Sequence, residues 1–186
     1  MRTYFLWLEP AGKAHELLAT TIANLSQEHA GPRFDPHVTL LGDLAGTEAE
    51  LSHRTRKLAQ ALPSIDLTLT VPAFQDQYFQ CVFMCVEENA RLLEAHMLAR
   101  KVFHKEDVPP YMPHLSLLYG LDARSLKEQI IGTLPASLNL RFTASAVTLL
   151  RAGGSNPKDW RKVQTFAFSG TDKQTPESNR FRRKRN

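Results

Sequence analysis

Two stretches of this chain repeat each other. Phe34-Asp35-Pro36-His37-Val38-Thr39-Leu40-Leu41 returns as Tyr111-Met112-Pro113-His114-Leu115-Ser116-Leu117-Leu118. Each copy reads aromatic-x-Pro-His-apolar-(Thr/Ser)-Leu-Leu. Each follows a loop signal, Gly31-Pro32 before the first and Pro109-Pro110 before the second. The proline fixes φ at the strand entry. From the histidine onward the side chains alternate faces, as a β-strand requires. His37 and Thr39 then share one face, and so do His114 and Ser116. Val38, Leu40, Leu115 and Leu117 point the other way, into a core. Any fold must accommodate two matching strands of this kind, and the arrangement expected is a duplicated lobe with the two copies meeting across a pseudo-twofold cleft.

Two imidazole–hydroxyl pairs facing each other suit phosphodiester hydrolysis. Imidazole titrates near neutral pH, so one histidine accepts a proton from water while the other gives one to the departing oxygen. The hydroxyls hydrogen-bond non-bridging phosphate oxygens as charge develops in the transition state. A lone histidine at a strand start is usually structural, but two matching octads rarely arise by accident. A zinc site built on the two histidines lacks a third ligand, since no H-x-x-x-H or C-x-x-C spacing is present, so no metal and no cofactor is called for. His15, His29, His53, His96 and His104 have no companion hydroxyl motif and read as solvated or locally bonded.

Elsewhere the pattern alternates strands and helices. Tyr4–Leu8 is a short β run, Ala14–His29 a helix with Leu17, Leu18, Ile22 and Leu25 on one face, and His37–Leu41 a strand. A helix over Thr47–Ala61 opens on a capping-box pattern of Thr47 and Glu50. Ile65–Val71 alternates as a half-buried strand. A strand over Tyr78–Val86, a helix near Asn89–Phe103, a strand over His114–Tyr119 and a helix near Ala123–Gly132 repeat that order. Strands around Leu138–Arg151 and Val163–Ser169 follow, separated by a Gly153-Gly154-Ser155-Asn156-Pro157 loop. The class expected is α+β with mainly antiparallel sheets.

The chain of 186 residues has a formal net charge of +4, and that charge is local. From Asp172 onward six basic residues face two acidic ones, while residues 1–171 balance at 17 basic and 17 acidic. A neutral body argues against a broad duplex-binding surface, which must neutralise many phosphates, and favours a small anionic substrate. The organisation expected is one bilobal domain over residues 1–170 and a disordered basic tail over 171–186. No apolar run approaches the roughly 20 residues of a membrane span, and Met1–Pro10 does not read as a secretory signal. A cytoplasmic monomer is expected, with a nuclear location possible through the tail. Cys81 and Cys85 sit about 13 Å apart on one strand, beyond disulfide reach, and read as small buried hydrophobes.

Paired H-x-T/S motifs are the signature of the two-histidine (2H) phosphoesterase superfamily, and this chain resembles it, closest to the cyclic phosphodiesterases of plant and yeast type. The resemblance rests on Gly31-Pro32-Arg33-Phe34-x-Pro36-His37-Val38-Thr39, Tyr78-Phe79-Gln80-Cys81-Val82-Phe83, the segment from Pro110 to Tyr119, and the Trp160 region. It implies two pseudo-symmetric lobes, each an antiparallel sheet with helices packed outside, around a central cleft. It implies a metal-independent enzyme that opens ADP-ribose 1″,2″-cyclic phosphate to ADP-ribose 1″-phosphate and nucleoside 2′,3′-cyclic phosphates to 2′-phosphates. By motif position, His37 and His114 look like the acid–base pair and Thr39 and Ser116 like phosphate-binding hydroxyls. Tyr119 and Phe79 match substrate-contacting aromatics. Arg33 either neutralises a phosphate or faces solvent. Plant relatives carry further cysteines that this chain lacks.

Two other readings stay open. One is an RNA-end processing enzyme of the 2′–5′ RNA ligase-like branch, with the basic tail making weak contact with RNA. The other is a nucleotide-binding module without catalysis.

Overall fold

The computed structural model describes residues 3–105 and 109–171; the basic tail from Asp172 onward lies outside them. In chain order the elements are β1 (Thr3–Leu8), α1 (Gly12–Glu28), β2 (Val38–Leu44), α2 (Glu48–Ala61), β3 (Ile65–Ala73), β4 (Val82–Val86), α3 (Ala90–Phe103), β5 (His114–Leu118), α4 (Arg124–Thr133), β6 (Arg141–Ala144), β7 (Ala146–Ala152) and β8 (Arg161–Ala167). Thr47 caps α2, its hydroxyl accepting from the Glu50 amide at 3.2 Å. The second half of the capping box is not made, because the Glu50 carboxylate turns to Arg54 one turn on. Asn89 caps α3 in the same way, accepting from the Leu92 amide.

The strands form an antiparallel sheet in the order β6-β3-β4-β5-β2-β1-β7-β8. The two motif strands sit side by side at its centre, joined by the Val38–Leu115 pair. On either side lies a four-stranded half, so the α+β, two-lobed architecture is what the resemblance implied. The lobes are not sequence halves, however. One takes β1 and β2 from the start of the chain and β7 and β8 from its end; the other is β3 to β6. Ser145 alone separates β6 from β7, which stand six strand steps apart, about 29 Å on a flat sheet. Two residues of chain reach only about 7 Å, so the sheet has to curl.

The lobes also interlock. Helix α1 packs on β5 and α3 on β2, each across the seam from the lobe that contains it. The core between helices and sheet includes Val38, Leu40, Leu115 and Leu117, all fully buried, which leaves the opposite face of both motif strands for the cleft. No described helix is long and apolar enough to cross a membrane.

One expected strand is broken. Tyr78–Gln80 forms a single 3₁₀ turn, and the strand begins only at Val82. The Gly120 amide donates to the Tyr78 carbonyl and the Gln75 amide to that of Gln80. A closed turn therefore takes the backbone groups that a ladder would have used. Cys81 is fully buried and Cys85 partly so, and both are free thiols; Cys81 is more than a buried hydrophobe, since its Sγ donates to the Asp122 carboxylate at 3.4 Å.

Candidate active site

The motif strands bring all six residues singled out by sequence, His37, Thr39, Phe79, His114, Ser116 and Tyr119, to one cavity of about 430 Å³. Counting outward from the Val38–Leu115 pair, the antiparallel register sets His37 across from Ser116 and Thr39 across from His114. Each imidazole thus faces the other motif's hydroxyl, an exchange that alternation within one strand cannot reveal.

The two rings are held alike. His37 Nδ1 lies 2.7 Å from the Asp35 carbonyl, and His114 Nδ1 lies 2.9 Å from the Met112 carbonyl, in both cases two residues back. A carbonyl only accepts, so Nδ1 carries the proton in each ring. Nε2 is left as the nitrogen that takes or gives a proton.

Their surroundings differ. His37 is 7% exposed and stacks on Trp7 with centroids 3.5 Å apart and planes 11° from parallel. His114 is half-buried and meets Phe83 edge-on at 5.1 Å. Trp7 and Phe83 occupy matching places, opposite Thr39 and Ser116 respectively. Burial pushes the His37 pKa down to about 3 against the pull of the Asp35 hydrogen bond, with the charge of His114 adding to the drop. Burial also lowers His114, partly offset by its bond to Met112. Removing a cation from water is costly, and the more deeply buried ring suffers more.

The hydroxyls are also inequivalent. Ser116 donates to the Phe79 carbonyl at 2.8 Å, tying the 3₁₀ turn to β5. Among the described residues the Thr39 hydroxyl has no hydrogen-bond partner. Tyr119 is buried, stacked on Phe34 at 3.7 Å, and burial holds its hydroxyl protonated well above the usual range. Gly31 permits that stack: a Cβ there would stand 2.9 Å from Leu118 and 3.2 Å from the Tyr119 carbonyl. Phe79 is 43% exposed, with Tyr119 at 5.2 Å and Trp160 at 6.0 Å.

Sequence reasoning missed several residues of this wall. Trp7 lies on β1 in a run that reads as ordinary strand, and only the β1–β2 pairing puts it against His37. Asp43 lines the cavity in the left-handed region, at φ 53°; an Asp after a Gly at a strand end was the one available hint. Lys127, 1% exposed, reaches under the cleft wall to the Gln75 carbonyl (3.0 Å) and the Asp76 carboxylate (2.8 Å). Arg33 is exposed and lines a shallower side pocket instead of the main cavity. No lysine or arginine lines the main cavity among the described residues, and its one carboxylate is that of Asp43. No group of three or more His, Cys, Asp or Glu is placed to hold a metal ion among them.

Comparison with known proteins agrees with this architecture. A model of the 2′-5′ RNA ligase superfamily matches residues 8–156. An Arabidopsis thaliana protein named cyclic phosphodiesterase is 30% identical over 117 residues, 63% of this chain and 65% of the relative, so the match spans just under two thirds of that protein's length. The structure of E. coli LigT complexed with 3′-AMP has a TM-score of 0.62 at 16% identity, covering 90% of this chain and 98% of LigT. TT0787 of Thermus thermophilus gives 0.62 at 15% identity, covering 91% of this chain and 100% of its own. At these identities the two structures bear on the fold alone. The chain belongs to the 2′-5′ RNA ligase superfamily, the two-histidine phosphoesterases whose H-x-T/S motif it carries twice.

Proposed function

We propose that this chain is a cyclic phosphodiesterase that opens ADP-ribose 1″,2″-cyclic phosphate and nucleoside 2′,3′-cyclic phosphates, the latter to 2′-phosphates. The observation that carries the proposal is the pair of imidazoles in one cavity, each with Nδ1 held by the carbonyl two residues back. In this reading His37, the more deeply buried and so neutral at pH 7, takes a proton from water through Nε2. The water oxygen bonds to phosphorus and the P–O bond to one ribose oxygen breaks. His114, which enters the step as the imidazolium protonated at both nitrogens, gives its Nε2 proton to that oxygen. The reaction adds one water; afterwards His37 carries a proton and His114 lacks one, and exchange with solvent resets both.

Thr39 and Ser116 contact the non-bridging oxygens, with Thr39 free to donate at once. Phe79 and Tyr119 form a face for the base, and stacking of this kind contributes about 1–3 kcal/mol per base. A cyclic diester carries one negative charge and its product up to two. A cavity wall whose described residues include no lysine or arginine therefore binds the product less well than a cationic one would, which favours release.

A second reading, an RNA 3′ end that carries a 2′,3′-cyclic phosphate, is favoured by one observation. The side pocket lined by Arg33, Phe34 and Lys162 shares Trp7, Leu150 and Trp160 with the main cavity and offers a continuing strand a way out.

The test is turnover of ADP-ribose 1″,2″-cyclic phosphate, a nucleoside 2′,3′-cyclic phosphate and a short RNA ending in one, with a chelator present. Wild type should open the small substrates at undiminished rate in EDTA, and His37→Ala and His114→Ala should each lose about 10²-fold or more. Loss of activity in EDTA, or near-normal kcat in either variant, contradicts the mechanism. Preference for the RNA selects the second reading.

A further inference from the structure

The two octads differ in the residue before the proline: Asp35 in one, Met112 in the other. That residue supplies the carbonyl that holds the histidine ring. At Met112 no described charged side chain is attached to it; the Gln75 amide nitrogen lies 3.4 Å from the thioether. At Asp35 the carboxylate is 2.8 Å from Lys162 Nζ on β8, and the same Nζ is 2.6 Å from Glu9 just after β1. The other oxygen of Glu9 accepts from the Thr148 hydroxyl on β7, which lies 2.9 Å from that of Thr165 on β8. A chain of polar contacts thus runs from the outer strands of the lobe, through Lys162, to the loop that carries His37.

Stability does not explain it. Lys162 and Asp35 are 42% and 55% exposed at the side chain, and an ion pair this open to water contributes little. The geometry instead fixes a direction. Lys162 is anchored from two sides and leaves the Asp35 segment little freedom to rotate its carbonyl away from the ring. The cation also lies close enough to disfavour charge on His37, opposed by Asp35 and joined by His114.

We propose that Lys162, bridging Glu9 and Asp35, is a positioning residue that keeps the Asp35 carbonyl on the Nδ1–H of His37 and adds to the difference that burial makes between the two motif histidines. Its activity arm rests on the function proposed above; its structural arm does not.

The experiment compares wild type with Lys162→Met, Lys162→Arg and Glu9→Gln, by ¹⁵N NMR of the histidine side chains and by the pH dependence of turnover of a 2′,3′-cyclic nucleotide. In Lys162→Met, His37 should show averaging of its ring nitrogens, while the His114 signals keep their wild-type pattern. Its kcat should fall about tenfold with KM within twofold. The acid-side limb should move to higher pH, because a cation is removed and the Asp35 carboxylate is left facing the ring. Lys162→Arg should restore both readouts, and Glu9→Gln should shift them the same way by less. Wild-type ring signals and an unmoved acid limb in Lys162→Met, even with a lowered Tm, overturn the proposal. If wild type opens no cyclic phosphate, the proposed function fails, and the NMR comparison still decides the role of Lys162.

Discussion

The Tyr111 hydroxyl donates a 3.1 Å hydrogen bond to the backbone carbonyl of Thr39. The aromatic residue that opens the second motif thereby braces the strand of the first. The reverse tie is the stack of Phe34, which opens the first motif, on Tyr119, which follows the second. Tyr111 also stacks on His96, whose Nδ1 lies 2.7 Å from the Leu40 carbonyl. The motifs are therefore cross-linked by their own aromatics, and the catalytic pair proposed here sits between the links.

Tyr111→Phe keeps the His96 stack and leaves the Thr39 carbonyl without this donor. The expected cost is about 1–2 kcal/mol, a fall in Tm of about 2–8 °C for a chain of this size. Calorimetry checks it. An unchanged Tm would mean that the bond does not brace β2.

Thr39→Val and Ser116→Ala separate the two hydroxyls. Thr39 has no described partner to lose, so Thr39→Val should cost kcat about 100-fold, as loss of one preorganised donor does, with Tm within a degree. Ser116→Ala should lower both kcat and Tm, since it releases the Phe79 carbonyl and loosens the 3₁₀ turn. Equal Tm changes in the two variants would contradict the assignment.

His37 links stability to pH. Its folded pKa of about 3 lies below the ordinary 6.5, so between these values the unfolded chain binds the extra proton. Stability from this group is fully present above pH 6.5 and is lost as pH falls toward 3, at a slope of up to about 1.4 kcal/mol per pH unit. Denaturant melts at pH 4, 5 and 7 should show a smaller pH dependence in His37→Gln than in wild type. Parallel curves would place the ring elsewhere.

Lys127→Met removes the buried ammonium that holds Gln75 and Asp76. The turn carrying Phe79 should loosen, raising KM several-fold with a smaller change in kcat, and stability should drop by about 1–3 kcal/mol. Phe79→Ala should raise KM for a nucleotide by about tenfold with a smaller change in Tm than Lys127→Met, because the ring is part-exposed at the rim of the cleft. A KM unmoved in both variants would remove this wall from the binding surface.

Much of the local structure was legible in the sequence, because it depends on spacing alone. Alternation with period two put each histidine and hydroxyl on one face of its strand, and the apolar partners Val38, Leu40, Leu115 and Leu117 are buried as that pattern requires. The recurrence of the octad carried the pairing of the lobes, and Thr47 capped its helix. The exception was Tyr78–Gln80, where apolar content without strict alternation read as strand and the backbone closed into a turn.

Tertiary structure decided what depends on partners distant in sequence. One lobe built from the two ends of the chain, His37 facing Ser116, Trp7 stacked on His37, and Lys162 reaching Asp35 all follow from strand order and register. Contacts across that sequence separation leave no periodic mark. Two octads built on one pattern are equivalent by it, and only burial and neighbouring charge make one histidine unlike the other. The composition of the motifs set which chemistry is available, and the packing around them set how the two rings differ.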